Sequence, residues 1–271
     1  MLEGQALSER KVDVAGRNLK NKPLIEAILE LKWRLMSPTP GVELDPHYKI
    51  LIGRMYDRVS TQYPEHEQLP TATLPDEWTG HTVQHRFRSG PNDWPLLQIG
   101  PGILTLNNTE KYTWTDFRER SLSAIESLFH AYPKREELHI QSLLLRYIDG
   151  VDFDCSTENL LDFLREKLKL RIDLPSSLFT ESPVQARPQL FSWQSSFSCS
   201  DPKGIVSARF ATGQRKGSPA LIWETLVQSI GNDIPAMPEG FVTWIDAAHG
   251  ITDDWFFKLI EGDLERQFNG E

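Results

Sequence analysis

Asp246 and His249 stand three positions apart near the end of the chain. A carboxylate beside an imidazole is one way to build a general base, or to supply two ligands to a metal. On a helix that spacing makes the two side chains surface neighbours. No third ligand and no nucleophile lies near them in the sequence, so a histidine packed against apolar residues and hydrogen-bonded locally is the competing reading. A second group is Arg146, Tyr147 and Asp149. On a strand Arg146 faces one way and Tyr147 and Asp149 the other. Arg146 could hold an anion with Asp149 orienting it; the plainer alternative is a buried ion pair for Arg146 and a turn position for Asp149 before Gly150. Arg146, Tyr147, Asp149, Asp246 and His249 are the candidate ligand-binding residues, and no catalytic residue is assigned.

Other familiar chemistry is missing. His81 and His85 have the spacing that suits zinc on a helix, but there is no His-Glu-x-x-His pattern. The stretch His81 to Phe87 reads as a strand, which would set the two rings on the order of 13 Å apart. Gly100-Pro101-Gly102 lacks the Lys-Ser/Thr of a phosphate loop and the third glycine of a dinucleotide fingerprint, so it reads as a turn. No nucleophile elbow or kinase signature is present. Cys155 and Cys199 form no Cys-x-x-Cys pair and read as reduced thiols. The expectation is therefore no metal and no cofactor. The 8 tryptophans could stack ligands, but such residues more commonly fill a core between helix and sheet.

The elements that must position these groups follow from periodicity. The chain has 271 residues, 39% hydrophobic and 25% charged, enough for one large domain or two modest ones with a real core. Residues 1–21 are mixed and polar and read as a flexible tail. Leu24 to Trp33 alternates with a period of two and reads as a strand. Pro38, Pro40 and Gly41 break the chain, and Asp45-Pro46 looks like the cap and first position of a helix running to about Tyr63. Glu65 to Gly80 reads as a loop. Three short strands follow: His81–Phe87, Trp94–Ile99 and Ile103–Asn107. Thr113, with Asp116 three residues on, opens a second helix.

His139 to Asp149 is the central apolar strand. A third helix carries Leu160, Leu161, Leu164 and Leu168, and Pro175 to Pro188 reads as a linker. Leu190–Cys199 and Gly204–Thr212 form a hairpin. Ala220–Ser229 fits a helix or a strand, and a strand suits the order of elements better. Phe241, Trp244, Ile245, Ala248, Ile251, Trp255 and Leu259 keep a helical period straight through Gly250. A break there, with Thr252 as a new cap, is the rival. The sum is an α+β fold of two sub-regions, residues 22–150 and 151–271, each an antiparallel β-meander covered by a long amphipathic helix, and either separate or packed as one unit.

Lys22-Pro23-Leu24-Ile25-Glu26-Ala27-Ile28-Leu29-Glu30, Leu145-Arg146-Tyr147-Ile148-Asp149 and Trp244-Ile245-Asp246-Ala247-Ala248-His249, with Phe256 downstream, resemble a family of sporadically distributed bacterial proteins of unknown function. Its members run to about this length, and the likeness covers Lys22 to about Phe268. The family's mid-chain motif ends in Asn where this chain has Asp149. The resemblance implies a two-part α+β protein with no established activity, and a patchy distribution of that kind is common among defence- or toxin-linked genes.

A formal net charge of −9 argues against unspecific nucleic-acid binding, which draws on a basic surface. No apolar run nears the ~18 residues that cross a bilayer, and the N-terminus lacks a secretory signal, so the expectation is a soluble cytoplasmic protein with no membrane partner. The leading expectation of function is a non-enzymatic interaction or accessory protein, acting with another protein encoded nearby. The alternative is a small-ligand binder or hydrolase using a cavity between helix and sheet, with Arg146, Asp246 and His249 as its polar groups. Oligomeric state is open.

Overall fold

The computed structural model describes residues 19–271. Its first half holds β1 (Leu24–Trp33), β2 (Met36–Thr39), β3 (Val42–Leu44), α1 (Tyr48–Val59), β4 (Glu65–Gln68), β5 (His85–Arg88), β6 (Leu96–Gly100), β7 (Ile103–Asn108) and α2 (Trp114–Ala131). The second half holds β8 (Ile140–Asp152), α3 (Leu160–Lys167), β9 (Ser192–Ser200), β10 (Lys203–Arg215), β11 (Ser218–Ile230), α4 (Phe241–Ile260) and α5 (Asp263–Asn269). Nine strands make one sheet in the order β4-β5-β6-β7-β1-β8-β11-β10-β9, with β2 and β3 as a separate hairpin. All of its pairings are antiparallel. The fold is α+β, as the periodicities require. The two meanders do not form separate sheets: β1 lies against β8, with Leu29 opposite Leu145 and Leu31 opposite Leu143.

The alternation in β1 shows why one face of this sheet is covered. Ala27, Leu29, Leu31 and Trp33 are buried, while Glu26, Ile28, Glu30 and Lys32 between them stay half-buried on the other face. A one-residue slip would exchange the two sets, so the register is strongly specified. Leu51 and Met55 of α1, Phe117 and Leu128 of α2, and Trp244 and Ile245 of α4 join the β1 residues in one apolar cluster. Leu160 and Leu164 of α3, with Leu264 and Phe268 of α5, join Phe210, Leu221 and Trp223 in a second. Burial of each such side chain contributes about 1.5–3 kcal/mol. The opposite face carries polar ladders instead, such as Gln98 to Asn107 (2.9 Å) and Asn107 to Glu26 (2.8 Å).

Several expectations are corrected. Asp45 does not cap α1; the cap position is His47, with no side-chain bond. Instead the Asp45 carboxylate accepts from Trp33 Nε1 (2.8 Å), His47 N (2.9 Å) and Tyr132 Oη (3.1 Å). The expected loop after Tyr63 contains β4, whose four exposed residues carry no apolar pattern but complete the ladder beside β5. The expected strand from His81 starts only at His85, because His81 has a left-handed backbone (φ 56°) and lies in the turn before it. His85 instead meets His66 across β4 and β5, Nδ1 to Nε2 2.8 Å.

Of the expected tail, residues 1–18 lie outside the described residues. Leu19 is buried (6% exposed) and Asn21 N donates to Phe268 O at 2.8 Å, so the last part is tied to the fold. The polar C-terminus forms α5. Helix α4 runs unbroken through Gly250, since Thr252 Oγ1 turns back to Ala248 O (3.1 Å) and His249 O (3.0 Å) and caps nothing. Among the described residues, no helix is long and apolar enough to cross a membrane.

Candidate functional site

Where the two apolar clusters meet, the helical layer leaves a cavity of about 350 Å3. Its floor is sheet: Tyr147 and Asp149 of β8 and Thr225 of β11, with Thr225 opposite Tyr147 in register. Its walls are Tyr112 and Trp114 at the start of α2, and His249, Asp253 and Phe256 on α4. Lys22 and Leu24 close the end where β1 begins. The start of α2 is fixed by its cap, Asp116 N donating to Thr113 Oγ1 at 3.3 Å. That cap holds Trp114 against the His249 ring, stacked with centroids 3.7 Å apart.

A chain of polar groups crosses one wall. Tyr112 Oη lies 2.8 Å from Tyr147 Oη, which lies 3.1 Å from His249 Nδ1. Burial, opposed by the charge of Asp246, pushes the His249 imidazole down to about 4. The ring is therefore neutral near pH 7, and Nδ1 can accept from Tyr147 while Tyr147 accepts from Tyr112. Burial also raises both phenols, Tyr112 and Tyr147, above the usual tyrosine range. Lys22 Nζ donates to Tyr112 O at 2.7 Å, and burial lowers its ammonium.

Asp149 is different in kind. Its residue is 4% exposed, it lines the cavity, and no hydrogen-bond donor or ion-pair partner reaches it among the described residues. Burial pushes its carboxyl up to about 8, against a lowering pull from Arg215. The Arg215 guanidinium is engaged elsewhere, Nη1 donating to Gly150 O at 3.0 Å. Trp223 stands opposite Asp149 across the β8–β11 pair, and its buried Nε1 has no acceptor among the described residues. An unpaired buried carboxyl costs more than almost any other single group, so its retention asks for an explanation.

Of the five sequence candidates, Tyr147, Asp149 and His249 come together around this cavity. Arg146 does not: the strand alternation sends it to the opposite face, 3.9 Å from Glu224, which also pairs with Arg209 at 2.8 Å. Asp246 and His249 are not hydrogen-bonded to each other. Asp246 is held outside by Arg118 of α2, Nε to Oδ1 2.5 Å and Nη2 to Oδ2 2.7 Å. Lys22, Tyr112, Thr225 and Asp253 were not among the candidates. Asp253 follows His249 by four positions and shares its helix face, a signal present in the sequence; the others come from separate segments and carried none. No group of three or more metal-ligating side chains converges among the described residues.

Fold and site together define an α+β protein with a nine-stranded antiparallel sheet, a helical layer on one face of it and an aromatic cavity between them. No family model matches the chain, and no curated protein matches it. One solved structure is similar, the crystal structure of DynU16, a protein from the dynemicin biosynthetic locus. It is 9% identical, with 84% of this chain and 98% of that chain covered at a TM-score of 0.22.

Proposed function

We propose that this protein binds a small molecule in the cavity between α2, α4 and the sheet. The observation that carries this reading is Asp149, a buried carboxyl facing that cavity with no partner among the described residues. A volume of about 350 Å3 lined by Trp114, Tyr112 and Phe256, with a few convergent polar groups, is the usual make-up of a small-ligand site. Binding alone accounts for these features: Asp246 is paired with Arg118, and among the described residues no carboxylate is hydrogen-bonded to His249. The test is binding of N-phenylnaphthylamine, a neutral dye that brightens in apolar surroundings. A single saturable site is expected, and Thr225→Phe, which fills the floor, should weaken it at least tenfold with the circular dichroism spectrum unchanged. Equal binding by that variant would overturn the reading.

A partner protein is the second reading, favoured by the outer edge of the sheet. Among the described residues β9 pairs with β10 alone, and Ser192–Ser200 holds no charged residue and no proline. Phe197 is 51% exposed there. An edge with none of the usual protections is a surface on which another strand can pair. Membership of the sporadically distributed family, a partner encoded nearby, a defence- or toxin-linked setting and a cytoplasmic location belong to this reading. Tagged protein recovered from its host should bring down one stoichiometric partner, and Ser196→Lys should lose it; unchanged recovery would exclude the edge.

A further inference from the structure

We infer that the ligand of this cavity carries a cationic nitrogen, a protonated amine on an aromatic or aliphatic body, with its head against Asp149 and its body among Trp114, Tyr112 and Phe256. This inference rests on the reading of the cavity as a ligand site. Three features of the lining point to it. The first is the sign of the charge. Asp149 lines the cavity with no hydrogen-bond or ion-pair partner among the described residues, and Lys22 is the one basic amine among the described lining residues. That amine is already turned to Tyr112 O, and Arg215, behind β8, is turned to Gly150 O. An anionic ligand would meet the Asp149 carboxyl with neither of those cations turned toward it, and a neutral one would leave that carboxyl protonated, whereas a cation pairs with its ionised form.

The second feature is the vacancy at Asp149. A carboxylate can accept about four hydrogen bonds, and an ammonium offers up to three donors together with the missing charge. The third is the ring content. Tyr112, Trp114 and Tyr147 are stacked or edge-packed around the same space, and His249 is held neutral against Trp114. Aromatic faces around a desolvated cation attract it through their quadrupoles. Arg215 on β10 acts on the Asp149 charge, Tyr112 before α2 and Tyr147 on its own strand feel it, and Lys22 before β1 and His249 and Asp253 on α4 are the other titratable groups among the described lining residues. The raised Asp149 carboxyl fits the same picture: a bound cation draws it back to the ionised form, so binding releases a proton.

The experiment is isothermal titration of the full chain with three probes of matched shape: phenethylamine, phenethyl alcohol and phenylacetate. The amine should bind at least tenfold tighter than the alcohol, and phenylacetate weakest. From pH 8 down to pH 6 amine affinity should fall about tenfold per unit while the alcohol stays flat, with proton uptake or release read from buffers of different ionisation heat. Asp149→Asn should bring the amine down to the level of the alcohol. An alcohol or phenylacetate that binds as tightly as the amine, or a flat pH profile for the amine, overturns the inference, and so does dye binding with none of the three probes bound. Failure of the dye as well removes the cavity reading itself. The pH profile uses the unaltered protein, so the inference is exposed to failure even if Asp149→Asn does not fold.

Discussion

Asp45 and Asp149 are both buried carboxyls, at 8% and 4% exposure, near opposite ends of β1. Asp45 accepts from Trp33, His47 and Tyr132, donors drawn from three parts of the chain. Asp149 accepts from none of the described residues. The difference teaches what burial alone does not: one carboxyl is spent on holding β1, the turn before α1 and the end of α2 together, and the other is left available. Satisfied donors mark architecture, and an unmet acceptor facing a cavity marks a site.

The comparison can be broken most forcefully at Asp45. Asp45→Ala orphans two side-chain donors and one backbone N–H, and should cost about 3–5 kcal/mol in chemical denaturation. A loss below about 1 kcal/mol would mean that those bonds add little.

At Asp149 the sign reverses. Its folded carboxyl titrates at about 8, above the ordinary value of 3.8, so between those values the folded state holds a proton that the unfolded state has lost. Stability therefore falls as pH rises from about 4 to about 8, by up to ~1.4 kcal/mol per unit. His249 runs the other way. Its folded value is about 4 against an ordinary 6.5, so its contribution rises with pH across that interval and is lost as pH falls through it. The two offset each other up to about pH 6.5, and Asp149 acts alone from there to 8. His249 is common to both proteins, so the stability of Asp149→Asn should gain on that of the unaltered protein throughout the rise from pH 4 to pH 8, by on the order of 2 kcal/mol between pH 6.5 and 8 alone. Parallel curves for the two proteins would show that Asp149 is already ionised and paired.

Tyr147→Phe sharpens the contrast on a smaller scale. It removes the hydroxyl between Tyr112 and His249, and should cost about 1–2 kcal/mol by the same denaturation assay. The smallest effect belongs to Arg118→Ala. The pair with Asp246 is well formed but lies at the surface, so its loss should cost less than about 1 kcal/mol and leave dye binding unchanged.

Much of this fold was legible where one face of an element is wet and the other dry. Leu24–Trp33 and the helix from Phe241 to Ile260 follow their expected bounds closely, because each buries a regular stripe. β4 was not legible, since Glu65–Gln68 is exposed throughout and its place depends on β5. Asp45 before Pro46 had the form of a helix cap, but Trp33 and Tyr132, distant in sequence, compete for its oxygens and win. In the site, the Tyr147 and Asp149 side of β8 followed from alternation, which also predicts that Arg146 lies behind. The company they keep did not follow: Lys22, Tyr112 and Thr225 arrive from three segments with no common spacing, and Arg118 removes Asp246 from His249.

The central place of the opening strand has a consequence for biosynthesis. Trp33 pairs with Ile140, over a hundred positions later, so one flank of β1 has nothing to bond until that much more chain has left the ribosome. Meanwhile β7 can close only the other flank. The nascent chain thus carries a bare, apolar ladder through much of its synthesis, and such long-range closure is slow and prone to mispairing. Chaperone dependence during translation should be greatest before β8 emerges and should drop once it does.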